Sequence, residues 1–210
     1  MAIRNPPGIL LLALCSCVRV NLDSGGDRPV AYLIDPAPAA PSAASWDMDV
    51  VVHDFSASPP YDARGMVMVT QAGTVITASR SVWAASPADA CADLLWRDLV
   101  RSGAVASAFR SHHHRSAMSV EAHVSEFGAR ETSAGWQAAL EITVTLTPPA
   151  GNGPVLQHNY HLAQPLAEEG FPALSAAMSA LARTWVDSTL AAVTGMAGEL
   201  ASLDGSSSRR

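Results

Sequence analysis

Cysteine is scarce in this sequence, with only three residues in a chain of 210. Cys15 and Cys17 lie two positions apart near the start, and Cys91 stands alone much further along. A disulfide between residues two apart is strained, and three cysteines do not make a disulfide framework. A metal site needs about four ligands, of which Cys15 and Cys17 supply two. The cysteines therefore argue against a disulfide scaffold and against a cysteine metal centre.

Lysine is absent, and positive charge is in short supply. All 13 basic residues are arginine, and 19 acidic residues outnumber them, which gives a formal net charge of −6. Nucleic acid is therefore not an expected partner, because binding it depends on a cationic surface. The sequence also has no Gly-x-Ser-x-Gly elbow and no lysine-containing phosphate loop. Nothing in it indicates an enzyme, and no cofactor is expected.

Long apolar runs are missing as well. Residues 8–14 form an apolar stretch, but a membrane-spanning helix needs about 20 residues. The polar stretch 1–7, which carries Arg4, precedes this short run, and that order is typical of a secretory signal peptide. No later run approaches spanning length, so the body of the protein is expected to be soluble and extracytoplasmic.

The residues after the apolar stretch resemble a bacterial lipobox. Leu14 lies three positions before Cys17, and the small Ser16 lies immediately before it. Cys17 fits the lipidated position better than Cys15, which would have Leu14 where a small residue belongs. Two or three acyl chains on Cys17 would hold the mature chain at a membrane stably. Val18 stands where an inner-membrane retention signal has Asp, which favours the outer membrane; a plain secreted signal peptide is the alternative.

These features divide the chain into four predicted parts. They are a lipoprotein signal peptide over residues 1–16, a lipidated tether over 17–28, one compact domain over 29–196 and a disordered tail over 197–210. Removal of the signal leaves 210 − 16 = 194 residues, which is room for one domain. Hydrophobic residues make up 49% of the chain, enough for a real core.

The first half of the domain is predicted to be rich in strands. Strands are expected over residues 29–35, 49–55, 66–70 and 74–79. The last two flank Gly73, which suits a hairpin turn. Between the first two lies PAPAAPSAAS, residues 36–45, which predicts an extended proline-alanine linker.

A helix then begins with three independent signals. Ser86 is placed as the N-cap, Pro87 at the first helical position and Asp89 in the first turn, and Gly103 is a good stop. Cys91 lies on the apolar stripe of this helix, which favours a buried small hydrophobic residue over a reactive thiol.

The second half alternates apolar and polar residues with the period of a strand. This pattern covers residues 118–128 and 135–147, and a further strand is expected over 155–162. A long helix is predicted from Phe171 to about Met196. The order of elements predicts an α+β fold, with two helices packed on one face of a mainly antiparallel sheet.

Several polar side chains have a structural interpretation and a functional one. His112, His113 and His114 can bind a transition metal, but neighbours in sequence point in different directions and a closed site needs further ligands. We expect a solvated loop there and assign no metal ligand. Glu168 and Glu169 are also expected in a solvated segment.

The first helix and the tryptophans complete the candidate residues. Arg97 and Asp98 are interpreted as the exposed side of the first helix. Trp83, just before that helix, is expected to be a core residue beside Trp96 and Trp185. The alternative for Trp83 is an interface or a lipid contact, where a large amphipathic ring is favoured.

The order of these segments resembles the ABC-type transport auxiliary lipoprotein family, over most of the chain from about Val30 to Val186. The shared landmarks after Cys17 are AYLID (31–35), DVVVHDF (49–55), ARGMVMV (63–69), VWAASPAD (82–89), LVRSGAVASAF (99–109), SEFG (125–128) and ALSAAMSALA (173–182). Each motif is degenerate alone, so their order and spacing carry the resemblance. One departure lies in residues 67–79, where the family typically shows a tyrosine-rich stretch.

The resemblance implies a non-enzymatic lipoprotein that faces the periplasm. Its partners would be an ABC transporter and an Mce-domain protein, as in paraquat-inducible (Pqi) and Mce-type systems. The cargo would be phospholipid or another hydrophobic compound that moves between the two membranes. Some relatives form rings, so a homo-oligomer is compatible with the family. The alternatives are a metal-binding envelope protein that uses His112–His114 and a stand-alone envelope-binding lipoprotein.

Overall fold

The computed structural model describes residues 28–111, 117–149 and 155–207 of the chain. The elements follow in the order β1 (Val30–Tyr32), β2 (Trp46–Val52), β3 (Ser56–Ala57), β4 (Gly65–Val69), β5 (Val75–Trp83), α1 (Pro87–Ser102), β6 (Val105–Arg110), β7 (Met118–Thr132), β8 (Gly135–Thr147), β9 (Leu156–Pro165) and α2 (Phe171–Ser207).

The long strand β7 organises the sheet. The three strands β2, β3 and β4 lie one after another along one edge of β7, each parallel to it. β8 pairs with the opposite edge in antiparallel fashion, and β9 pairs with β8 in the same way. Further out, β6 lies parallel to β2, β5 lies antiparallel to β4, and β1 lies parallel to β5.

The sheet is therefore mixed, and the prediction of a mainly antiparallel sheet is wrong in this respect. Antiparallel pairing holds for β7, β8 and β9 and for the predicted hairpin of β4 and β5, where Gly73 adopts φ 81° in the turn. Parallel neighbours need crossover connections, which α1 and the β4–β5 hairpin supply between β2 and β6. Alternation in a sequence tells which side chains share a face but not the direction of the neighbouring strand.

Both predicted helices are present, and the boundaries of α1 agree with the predicted signals. The Ser86 side chain accepts a hydrogen bond from the Asp89 amide, Pro87 opens the helix, and Gly103 closes it in the left-handed conformation with φ 63°. The apolar residues of α1 and α2 join those of the sheet in one core cluster. The α+β class is therefore as predicted.

The inward-facing residues of β7 keep the predicted alternation only as far as a bulge. Met118, Val120 and Val124 are fully buried, and the pairing register with β8 shifts between Val124 and Glu126. Beyond the shift Phe127 turns inward and is also fully buried. The extra residue of a bulge reverses the alternation along the rest of the strand.

The helix α2 continues past its predicted end near Met196. It runs to Ser207 and so takes in part of the segment predicted as a disordered tail. Ala197 and Leu200 are buried, and the backbone of Gly198 lies close to the ring of Trp46. Packing against β2 therefore prolongs the helix through its glycines. No helix of the described residues has the length and apolar character needed to cross a bilayer.

Candidate functional site

A buried carboxylate lies between the two helices. Asp98 on α1 has a solvent exposure of 0%, so its interpretation as an exposed residue is wrong. It lies four positions after Leu94 and three after Leu95, and these spacings place it on the apolar stripe of the helix. Arg97 donates from Nε to Oδ1 of Asp98 over 2.8 Å, and Arg183 on α2 donates from Nη1 to Oδ2.

The two arginines keep this carboxylate ionised. Burial by itself would raise the pKa of Asp98, because a low-dielectric surrounding disfavours the charged form. Hydrogen bonds from Arg97 and Arg183, together with their positive charges, outweigh burial and hold the pKa of Asp98 below its usual value. The carboxylate therefore remains charged near neutral pH.

The same cluster fixes the predicted proline-alanine linker onto the helices. We call residues 35–42 the strap. Arg97 donates from Nη1 to Oδ1 of Asp35 and from Nη2 to the Pro36 carbonyl, both over 3.2 Å. Arg183 donates from Nη1 to the Ala37 carbonyl over 2.8 Å. The Ala39 amide donates to Oδ2 of Asp98 over 3.2 Å, and the Ser42 amide donates to the Ser102 carbonyl over 2.8 Å. The segment is thus not a free linker, because it is held to α1 and α2 along its length.

An apolar cleft opens where the strap begins. It has a volume of about 270 Å³ and lies between residues 32–35, the end of β5 and the outer side of α1. Its lining includes the apolar residues Leu33, Trp83, Ala85, Ala90 and Leu94, of which Trp83 is fully buried. Leu33 is 63% exposed, so an apolar side chain stands at the mouth of the cleft. We refer to this feature as the cleft.

The tryptophans have different surroundings. Trp83 is fully buried and meets Phe127 edge to face, with ring centroids 5.3 Å apart. Trp185 is fully buried against Phe55. Trp96 is 38% exposed, and its indole donates to the carbonyl of Ala108 in β6. The predicted core role is therefore confirmed for Trp83 and Trp185, whereas Trp96 lies apart from them; Trp83 also lines the cleft.

The opposite face of the sheet is polar. Glu126 pairs with Arg130, and Glu141 on β8 lies 3.4 Å from His161 on β9. The described residues contain no group of three His, Cys, Asp or Glu side chains arranged to hold a metal ion. This face therefore carries polar side chains, among them the ion pair of Glu126 and Arg130.

Two further histidines have local partners. Both ring nitrogens of His123 lie 2.8 Å from serine hydroxyls, those of Ser56 and Ser58. His158 stacks on Tyr160 at 5.8 Å. The first contacts join the β3 segment to β7, and the second is a ring contact within β9. These histidines therefore have structural partners.

The remaining candidate residues lie in the core, at the exposed surface or outside the described ranges. Cys91 is fully buried in α1, and burial raises the pKa of its thiol to about 12, as expected for a core residue. Glu168 and Glu169 are exposed in the segment before α2. Cys17 and the cluster His112–His114 lie outside the described residues, and their roles stay predictions.

Sequence reasoning missed the centre of this site. The signal was available, because Asp98 interrupts an apolar stripe, and a buried carboxylate requires a charged or hydrogen-bonding partner. Its partner Arg183, however, is 85 positions away in the chain, and no local pattern links the two residues. The described residues thus build a fixed strap and an open apolar cleft, features that can position and bind.

Comparison with known proteins gives a family and a fold. The sequence model of the ABC-type transport auxiliary lipoprotein component matches residues 32–188, well over half of the chain. Among curated proteins no sequence matches.

Two crystal structures share the fold. One, of a Xanthomonas campestris protein of the DUF330 family, is 22% identical, with a TM-score of 0.62 over 84% of this chain and 98% of the other. The second, of an uncharacterised protein, is 12% identical, with a TM-score of 0.62 over 78% of this chain and 99% of the other. The match over residues 32–188 agrees closely with the extent of the resemblance seen in the sequence. The chain belongs to the ABC-type transport auxiliary lipoprotein family.

Proposed function

We propose that this accessory component of ABC-type transport is a periplasmic lipoprotein of an Mce- or Pqi-like system for lipids or other hydrophobic compounds. It is anchored to the outer membrane through Cys17 and acts as a non-catalytic docking component. The observation that carries the proposal is the family match over residues 32–188, which begins shortly after the predicted anchor and tether.

The strap supports a role that depends on position. The chain enters the fold at β1 and is then held by the ion cluster of Asp98, Arg97 and Arg183 before it reaches β2. A pull on the tether therefore acts first on β1, which pairs with β5, and then on the strap, which is bonded to both helices. The tether over residues 17–28 spans at most about 40 Å when fully extended, so the domain stays close to the bilayer.

The proposed partners are the Mce-domain protein and the ABC transporter of the same system. Their contact would bring the membrane-bound domain to the protein that carries the cargo, for which phospholipid is our candidate. A homo-oligomer is compatible with this role.

The experiment is capture of partners from the native envelope. The full-length lipoprotein with a C-terminal affinity tag is crosslinked in cells, extracted with detergent and analysed by mass spectrometry. We expect an Mce-domain protein together with an ABC permease or ATPase. The control is an unrelated lipoprotein with the same anchor sequence and tag, which should capture neither. Equal recovery in both samples, or wild-type transport in a strain that lacks this protein, would contradict the proposal.

A further inference from the structure

The strand β9 forms an edge of the sheet. Among the described strands it pairs with β8 alone, over ten consecutive residues and without a register shift. Edge strands are usually short, or they carry charged residues, prolines or bulges that prevent pairing with another chain. β9 contains no aspartate, glutamate, lysine or arginine, and its one proline, Pro165, is the last residue. The described edge strands β1 and β6 have three and six residues, so β9 is the longest edge of the described sheet.

The ladder between β8 and β9 tells which backbone groups of β9 face outward. Just beyond the end of β9 the Leu166 amide donates to the Trp136 carbonyl over 3.0 Å, in continuation of the register of the two strands. Hydrogen-bonded and non-bonded pairs alternate along an antiparallel ladder, so the even-numbered residues of β9 bond to β8. The odd-numbered residues Gln157, Asn159 and His161 therefore direct their amides and carbonyls away from β8. An extended backbone is the ligand that satisfies such a row of donors and acceptors.

The sequence of β9 is complementary to itself. The segment LQHNYHL (156–162) has similar residue types when it is read in either direction from Asn159. Two copies in an antiparallel pair centred there would have matching side chains opposite each other on both faces. The cross-strand pairs would be Leu156 with Leu162, His158 with Tyr160, Gln157 with His161, and Asn159 with its own copy. None of these pairs contains a carboxylate or a guanidinium group, so no like charges oppose the pairing.

The hydrophobic core reaches this edge of the sheet. Leu156, Tyr160 and Leu162 are half-buried, and they pack against the core cluster. A second β9 alongside would cover part of their remaining exposed surface, and removal of apolar surface from water stabilises association. The two-fold axis of such a pair is perpendicular to the sheet, so the helices of both copies lie on the same face of one continuous sheet.

We propose that β9 pairs in antiparallel fashion with β9 of a second copy of this chain, about a two-fold axis at Asn159. About six backbone hydrogen bonds join the copies, through Gln157, Asn159 and His161 of each. Both copies use the same surface, so the interface closes as a symmetric dimer. The inference does not rest on the anchor, the transport partners or the cargo, because it depends on β9 and its neighbours alone.

Cysteine crosslinking tests the register of the two strands. Opposed residues of a hydrogen-bonded pair have Cα atoms about 5.5 Å apart, within the range of a disulfide. Full-length Asn159→Cys, oxidised with copper phenanthroline in native envelopes, should therefore form a covalent dimer above the wild-type background. The control is Gln164→Cys, also exposed on β9, because the two copies of residue 164 would lie about 34 Å apart. Equal crosslinking of both variants, or an adduct of Asn159→Cys with another protein in place of the dimer, would overturn the proposal.

A charge at the axis tests the interface by repulsion. Asn159→Asp sets two carboxylates opposite each other and should weaken dimerisation by about tenfold, because like charges across paired strands repel. The fold should be unchanged, since residue 159 is exposed and an aspartate can still accept the hydrogen bond from Thr143. Gln164→Glu adds the same charge outside the paired segment and should dimerise like the wild type. Native mass spectrometry of the full-length protein in mild detergent counts the subunits over a range of concentrations. A monomeric wild type, or an oligomer that Asn159→Asp leaves intact, would overturn the proposal.

Discussion

At Asp98 a single carboxylate connects three parts of the chain: α1, α2 and the strap. Removing an ionised carboxylate from water costs several kcal/mol, and good hydrogen bonds from both arginines offset that cost. The arrangement is therefore a poor source of net stability compared with a well-packed apolar core. It does, however, make the position of the strap specific, because the Ala39 amide of the strap donates to the same carboxylate.

The intact cluster adds little net stability, but removal of one partner should be costly, and this difference gives a first prediction. Asp98→Ala should lower the free energy of unfolding by about 1.5–3 kcal/mol at neutral pH, because Arg97 and Arg183 lose charge-assisted hydrogen bonds to their shared buried partner and keep only the exposed Asp35 and Asp187 as ion-pair partners. The measurement is urea unfolding followed by circular dichroism. The control is Asp93→Ala on the same helix, whose side chain is 65% exposed, and it should cost at most about 1 kcal/mol. Equal losses for the two variants would contradict the role given to Asp98.

The pH dependence of stability gives a second prediction. The pKa of Asp98 is lower in the folded state than the value of about 3.9 expected in the unfolded chain. The unfolded state therefore binds more protons as the pH falls, and the contribution of Asp98 is complete above about pH 4 and lost as the pH drops through the folded pKa. We expect the stability difference between wild type and Asp98→Asn to shrink below about pH 4. Parallel curves for the two proteins down to about pH 2 would refute this.

For individual residues, the sequence predicts which apolar side chains lie in the core better than it predicts which polar side chains pair with each other. Trp83, Trp185 and Cys91 are in the core as their apolar contexts indicate. Asp98 was assigned to the surface because charged residues are rarely buried, and the rule fails where a partner far along the chain provides the compensation. The distance in sequence between Asp98 and Arg183 is the physical reason that the site could not be read locally.

On the scale of elements, the centre of the sheet depends on a close approach of two backbones. β4 lies against β7 at Gly128, where an added Cβ would come within 2.4 Å of the Val67 carbonyl oxygen. A backbone atom cannot move aside as a flexible side chain does. β7 therefore requires glycine at this position for β4 to pair with it.

The third prediction compares two glycine-to-alanine substitutions that should change the stability of the protein in opposite directions. Gly128→Ala should destabilise the protein by about 1–3 kcal/mol, the range for overpacking, because β4 must shift. Gly195→Ala in α2 should stabilise it by up to about 1 kcal/mol, since nothing lies near the added methyl group and alanine favours a helix. Thermal unfolding of both variants is the measurement. A stable Gly128→Ala protein would show that β4 does not approach β7 so closely.

Elements were predictable where their signals are local. The ends of α1 follow from Ser86, Pro87 and Gly103, and the hairpin of β4 and β5 follows from Gly73. β6 and the two-residue β3 were not predicted, because their pairing partners β2 and β7 lie elsewhere in the chain and supply the stability that short strands lack. The end of α2 was predicted too early for a similar reason, since contact with Trp46 sustains the helix past Gly195 and Gly198.

At the level of the whole molecule, a predicted anchor and tether precede a folded domain. The family and the α+β class were predictable from the order and spacing of motifs, and the match over residues 32–188 confirms the family. The direction of the strands could not be predicted, because parallel and antiparallel neighbours produce the same alternation along a single strand. The chain enters the described domain at β1, which pairs with β5, and the strap that follows is bonded to both helices.

We propose that the domain works while attached to a membrane through Cys17. The anchor is predicted from the lipobox alone, so its test must act on that residue. Cys15 offers a matched control, because it is the same residue type two positions away and is expected to leave with the signal peptide.

The most direct measurement is the intact mass of the protein purified from the envelope, combined with fractionation of the variants Cys17→Ala and Cys15→Ala. We expect a mature chain that begins at Cys17 and carries acyl chains. Cys15→Ala should remain in the membrane fraction with the same modification, whereas Cys17→Ala should lose both the acyl chains and transport activity. An unmodified Cys17 thiol in the wild type, or full transport by Cys17→Ala, would show that the protein does not work as a Cys17-anchored lipoprotein.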